Sequence, residues 1–274
     1  MPESAGIDLP SGVDFQELRE LQLATLAILK DVAALCERHN IAYYLVAGTL
    51  LGAVRHRGFI PWDDDIDIMM FREDYNKFLS VAGELGEQYT IQAAETGSKY
   101  WLLFTKVRLL APKPFADTML TGITKDNGLF IDIFVGDYVP HRRSLAQFMV
   151  SRLLFLVTNA LWVKYFPGPS KGFGRFIATL LRRVPMAAIR KTYLWGAQLW
   201  DNKPREYCTF YSYSLSDQYV APVSYFGKPK WIEFEGAQYP IPNRADRVLN
   251  LEYGDYRQLP PVEKRKPLHG FKRA

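Results

Sequence analysis

Cysteine is scarce in this sequence. Among 274 residues only Cys36 and Cys208 are cysteines, far apart and with no CxxC pairing. That usage supports neither a disulfide framework nor a zinc site, and it fits a reducing compartment. A long unbroken apolar run is missing too. The N-terminal MPESAGIDLPSG is polar and has no signal-peptide core. The most apolar stretch, SLAQFMVSRLLFLVTNALWVKYF, is interrupted by Arg152 and Asn159 and closed by Lys164 and Pro167, which argues against a clean membrane span. Internal repeats and low-complexity segments are absent. These absences lead to the expectation of a cytoplasmic protein.

What remains is a globular composition, 48% apolar and 14% aromatic, sufficient for a buried core in one large domain or two small ones. The formal net charge of +5 fits phosphate-bearing partners, whether nucleotides, nucleic acid or an anionic membrane, without choosing among them. Residues 14 to 39 place Leu18, Leu21, Thr25, Ile28, Leu29, Val32 and Leu35 at helical spacing behind Asp14 as N-cap. AYYLVA, DIDIMM, YTIQA, YWLLFTKVRL and GLFIDIF read as strands, with helices at GTLLGAVRH and REDYNKFLSVAGEL. Helix and strand alternate over residues 1–138, as in an α+β fold with a mixed sheet flanked by helices. Residues 139–215 form a different region, helical, apolar and basic. The stretch 141–200 suits either an ordinary helical subdomain or contact with a membrane interface. Residues 216–274 hold a hairpin, WIEFEGAQYPI, and a short helix, RADRVLNLEYG, that complete the core.

The segment GFIPWDDDIDIMM poses the chemical question. Asp63, Asp64, Asp65 and Asp67 run straight into apolar Ile66, Ile68, Met69 and Met70. In a strand, residues two apart share a face, roughly 6.5–7 Å from one another. Asp65 and Asp67 would then repel unless a cation sat between them. Mg²⁺ favours one or two carboxylates with phosphate oxygens. A third carboxylate is expected from Asp132, a lone acid in an apolar strand, because a buried charge is costly unless paired or ligating. Upstream, Gly48 and Thr49 open a helix whose free N–H groups suit phosphate. Arg55, His56 and Arg57 lie just beyond. Lys106 and Arg108 alternate in FTKVR, so both can face one cleft. Trp62 sits beside the acidic run.

Taken together, GTLLGAVRHRGFIPWDDDIDI resembles the signature of the LicD family. FTKVR resembles that family's Lys-x-Arg strand, GLFIDIF its third-carboxylate strand, and EGAQYPIPNRADRVLNLEYGDYRQLPP its C-terminal block. The resemblance implies a nucleotidyltransferase-like fold. It implies transfer of a phospho-alcohol, most commonly phosphocholine from CDP-choline, to a cell-surface glycan or its lipid-linked precursor. Ribitol and glycerol phosphate from CDP-alditols are the alternative cargo. By the same likeness Asp65, Asp67 and Asp132 are the catalytic carboxylates and the ligands of one or two Mg²⁺ (or Mn²⁺) ions. Gly48 and Thr49 form the phosphate turn; Arg55, His56, Trp62, Lys106 and Arg108 complete the substrate site. A lipid-linked acceptor would place the protein peripherally at the inner membrane face, through 141–200.

Three rival readings are weaker. A glycosyltransferase using DxD with a nucleotide sugar places a nucleotide-binding half before the DxD, and here only about sixty residues precede it. An EF-hand starting at Asp63 requires Gly where Ile68 stands. Nucleic-acid binding is suggested by charge alone, with no matching motif.

Overall fold

The computed structural model describes residues 13–96, 104–118, 126–140, 145–154, 183–201, 203–210 and 220–274. In chain order the elements begin with α1 (Phe15–Arg38), β1 (Tyr44–Leu45), α2 (Ala47–His56), β2 (Asp67–Phe71), α3 (Arg72–Val81) and β3 (Tyr89–Gln92). There follow β4 (Thr105–Leu109), β5 (Phe115–Asp117), β6 (Phe130–Val139) and a helical stretch over 145–154. The chain ends with α4 (Met186–Ala197), β7 (Tyr207–Thr209), β8 (Ala221–Pro222), β9 (Lys230–Phe234), β10 (Ala237–Ile241), α5 (Ala245–Tyr253) and β11 (Phe271–Arg273). The architecture is α+β, as the sequence implied. Two compact units share the chain: residues 1–91, 106–133 and 224–274, and residues 92–105 with 134–223. The border expected after residue 138 falls instead between Ile133 and Phe134, inside β6.

In the first unit Asp14 caps α1 by accepting from the backbone N–H groups of Gln16 and Glu17, each at 3.0 Å. This satisfies two donors that a helix start leaves without partners. The apolar stripe from Leu18 to Leu35 is buried. The sheet runs β1-β2-β6-β4-β3, with β1 antiparallel to β2. The strand read over residues 42–47 shrinks to Tyr44–Leu45 because Val46 already caps α2 and Ala47 takes a φ of 47°. The hairpin β9–β10 turns on Glu235 and Gly236, both at positive φ, as a two-residue type I′ turn requires. Strand β5 pairs antiparallel with β11.

Glu235 also ties the hairpin to its surroundings. Its carboxylate accepts from Arg19 at 2.5 Å and from the Phe59 N–H at 3.0 Å. Burial alone would raise its pKa, but these donors outweigh burial and hold it below the usual range.

In the second unit the far end of β6 pairs antiparallel with β7, and β7 with β8. Val139, Leu154, Ile189, Tyr193, Ala197 and Val220 form its core. Gly196 lets α4 approach the helical stretch over 145–154, since a Cβ there would lie 2.8 Å from Leu154 Cδ2. The helical reading of 141–200 holds at 145–154 and at α4; residues 155–182 lie outside the described residues. Among the described residues no helix is long and apolar enough to cross a membrane.

Glu235→Gln should lower stability at pH 7 by about 1–2 kcal/mol in urea unfolding, a figure discounted because Arg19 keeps 42% of its side chain in solvent. A depressed folded pKa means that this stability exists above the unfolded value and is lost as pH falls. The gap between variant and wild type should therefore close below about pH 4.

Candidate active site

Three neighbouring strands set the site. Asp67 opens β2, Asp132 is the third residue of β6, and Lys106 is the second of β4. Lys106 Nζ lies 2.6 Å from Asp132 Oδ1, with both side chains almost out of solvent. Asp65 was read as a strand residue, but β2 starts two positions later. It is docked all the same, because the Ile66 carbonyl accepts from the Asp132 N–H at 2.8 Å. Asp65, Asp67 and Asp132 consequently offer carboxylate oxygens all within 4.8 Å of one another.

So much negative charge in so little solvent shows in the proton affinities. Asp65 is pushed up to about 6 by burial, with His269 opposing and Asp132 adding to the rise. Asp67 is raised well above the usual range by burial and then by Asp65, Asp132 and Asp63. Asp63 is raised likewise by burial, Asp65 and Asp64. Burial raises Asp132 although Lys106 pulls it down, and burial lowers Lys106 although Asp132 pulls it up. The cluster is short of positive charge. A Mg²⁺ ion, at about 2.0–2.1 Å from each ligand, spans oxygens up to about 4.2 Å apart. Three carboxylates are the donor set that suits Mg²⁺ or Mn²⁺.

The start of α2 is bonded into the same place. The Val46 N–H donates to the Asp67 carbonyl at 3.2 Å, and the Asp67 N–H donates to Thr49 Oγ1 at 2.8 Å. Gly48 sits so close to Asp63 that a Cβ would lie 2.8 Å from its Oδ2. From α1, Gln22 Nε2 donates to the Asp63 carbonyl at 2.8 Å and steadies the acidic loop. The structure thus gathers Gly48, Thr49 and Lys106 around the three acids.

Other expected substrate residues are placed differently. Arg55 and His56 end α2, about 10 Å along the helix from Thr49. Arg55 Nη1 donates to the Tyr256 carbonyl at 3.2 Å. Burial and the neighbouring Arg55 bring the His56 pKa down to about 4, so its ring is neutral at pH 7. Arg55 Nε and His56 Nε2 are buried atoms with no hydrogen-bond partner among the described residues. Trp62 is buried, with the Arg265 guanidinium 5.6 Å from its ring centre. Arg108 has no exposed surface. It donates to the Gly128 carbonyl at 2.6 Å and lies 3.5 Å from Asp117, so it ties β4 to β5. It shares the Phe130 ring with Lys106, at 4.7 and 3.2 Å from the centroid.

The sequence reading gave no site role to the residues after the block EGAQYPIPNRADRVLNLEYGDYRQLPP. The pairing of β5 with β11, with the Thr118 N–H donating to the Gly270 carbonyl at 2.7 Å, carries that tail back to the site. Asp64 accepts from the backbone N–H groups of Leu268 at 3.3 Å and His269 at 2.8 Å. His269 Nδ1 stands 3.2 Å from Asp64 and 3.5 Å from Asp65. Burial works against its protonation, but Asp64 and Asp65 outweigh burial and raise its pKa. Only the basic character of RKPLHGFKRA hinted at this role.

Carboxylates on adjacent strands beside a helix start define a nucleotidyltransferase-like site. The family profile described as LicD/FKTN/FKRP, nucleotidyltransferase domain, matches residues 40–145. The lipopolysaccharide cholinephosphotransferase LicD of Haemophilus influenzae is 32% identical over 269 residues, covering 92% of this chain and 96% of that protein. The uncharacterized protein RP689 of Rickettsia prowazekii is 50% identical over 118 residues, 43% of this chain and 41% of its own length. The human ribitol 5-phosphate transferase FKRP is 36% identical over 67 residues, 24% of this chain and 12% of that protein. The chain belongs to the LicD family.

Three outcomes follow from the charge balance. Lys106→Met strands Asp132 as a buried charge without its partner and should cost about 3–5 kcal/mol in chemical unfolding. Asp65→Asn relieves repulsion, and the metal-free variant should melt no lower than wild type in calorimetry. His269→Ala leaves Asp64 its two backbone donors but removes the imidazole beside Asp65. Its Mn²⁺ affinity, read by titration calorimetry, should rise, because a positive group that competes for Asp65 has gone, with little change in melting temperature.

Proposed function

We propose that this protein is a metal-dependent transferase that moves phosphocholine from CDP-choline to a hydroxyl of a cell-surface glycan or its lipid-linked precursor, at the inner membrane face. The observation that carries this reading is the likeness along 92% of the chain to a lipopolysaccharide cholinephosphotransferase. The clustered acids supply a chemistry to match. Asp65, Asp67 and Asp132 would hold one or two Mg²⁺ or Mn²⁺ ions, whose charge would neutralise the donor's diphosphate and polarise the phosphorus.

The chain's own groups do the rest. The opening turn of α2, at Gly48 and Thr49, presents backbone N–H groups to phosphate oxygens. Thr49 also fixes the Asp67 backbone and so the height of that carboxylate. The acceptor oxygen forms a bond to the choline-bearing phosphorus, the P–O bond to CMP breaks, and CMP departs with the electron pair. The acceptor's proton passes to Asp132, whose proton affinity burial has raised. Lys106, 2.6 Å away, keeps Asp132 in place.

A second cargo is favoured by one observation, the 67-residue match to a ribitol 5-phosphate transferase. Both donors offer the same CDP half and differ in the alcohol. A thermal-shift panel of CDP-choline, CDP-ribitol, CDP-glycerol and UDP-sugars decides. CDP-choline should raise the melting temperature with Mg²⁺ but not with chelator, and Asp67→Asn should abolish the shift. A larger shift with CDP-ribitol reassigns the cargo, and a preference for a UDP-sugar overturns the reading.

A further inference from the structure

The helical stretch over 145–154 has two unlike faces. Gln147, Ser151 and Leu154 are buried, and Leu154 joins the second unit's core. Leu145, Phe148, Met149 and Leu153 point out, exposed by 73%, 48%, 62% and 37%. Leu145, Phe148, Met149 and Arg152 fall one helical turn apart, and the Arg152 guanidinium lies 5.0 Å from the Phe148 ring centre. Water is an unfavourable neighbour for so many large apolar groups in a row. In the same unit α4 turns Trp195 outward, 57% exposed, one turn beyond exposed Lys191.

Charge says what kind of surface meets this face. Residues 141–200 contain ten Lys and Arg and not one Asp or Glu. A chain whose formal charge is +5 has therefore gathered its positive excess into one segment. Two copies meeting through such segments would set like charge against like. A nucleic acid would match the charge and offer Phe148 a base to stack on, but gives Leu145, Met149 and Leu153 nothing to bury in. An anionic lipid surface answers both: headgroup phosphates for Arg152 beside Phe148, and the acyl boundary for the apolar row. Trp is at home in that interfacial layer.

We propose that the face formed by Leu145, Phe148, Met149, Arg152 and Leu153 docks on an anionic bilayer surface, lying in the interface without crossing it. The proposal deepens the reading of an acceptor at the membrane and rests on it only for its purpose. Its test uses no donor and no catalysis, so the two stand or fall separately.

The test is co-sedimentation of the full chain with vesicles of phosphatidylcholine alone, or with about one-third phosphatidylglycerol. The wild type should sediment with the anionic vesicles, less so as salt rises. The double variant Phe148→Ser/Met149→Ser should lose at least about tenfold in partitioning. Its melting temperature without vesicles should be unchanged. Failure of the wild type to sediment would overturn the proposal, and so would equal sedimentation of wild type and variant. A marked drop in the variant's melting temperature would mean that this chain itself covers the face. A wild-type dimer that the variant dissolves would make the partner a second copy. Either result also sinks the proposal.

Discussion

Everything at the site depends on keeping like charges together in a place with little water. Carboxylates that close repel, and burial removes the solvent that would screen them. The protein answers with fixed positive and dipolar groups drawn from different parts of the chain. Lys106 meets Asp132 across adjacent strands, and His269 approaches Asp65 from the tail. Backbone N–H groups of Leu268 and His269 take up Asp64. The compensation is incomplete, which is why Asp65 and Asp67 still hold protons too tightly. A site left in that state would gain from a further positive charge, which the proposed Mg²⁺ or Mn²⁺ would supply.

Rigidity is the second requirement, and the sheet supplies it. Asp67, Asp132 and Lys106 sit on the neighbouring strands β2, β6 and β4, so their spacing follows from backbone hydrogen bonding and not from long side chains finding one another. The loop that carries Asp63 and Asp64 has no such ladder. It is held by Gln22 from α1, by the closeness of Gly48 and by the tail. The family that this chain belongs to includes proteins named for different phospho-alcohols. A rigid acid cluster is compatible with both, because the part of the donor it would meet is common to them.

Much of this was legible in the sequence, and the reason is local. A lone Asp132 in an apolar run and the alternation of acids with isoleucines announce themselves through the cost of burying charge. The helices α1 and α5 and the β9–β10 hairpin were read from spacing and turn residues alone. Legibility failed where distant segments decide. Asp65 lies ahead of β2 and owes its place to the Ile66–Asp132 bond. Arg108 looked like a cleft residue by alternation, yet Gly128 and Asp117 claim it. His56 was grouped with the site by its position in a motif, although a helix carries it to the far end. His269 offered no local signal, because its partners are reached only through the β5–β11 pairing.

That last pairing has a consequence for how the protein comes into being. Asp64 and His269 are 205 residues apart along the chain. At roughly 5–20 residues per second of synthesis, on the order of 10–40 s separate the appearance of the one from the other. The strands can pair and Lys106 can find Asp132 while translation continues, but the acidic loop stays without its clasp until Leu268 and His269 have emerged.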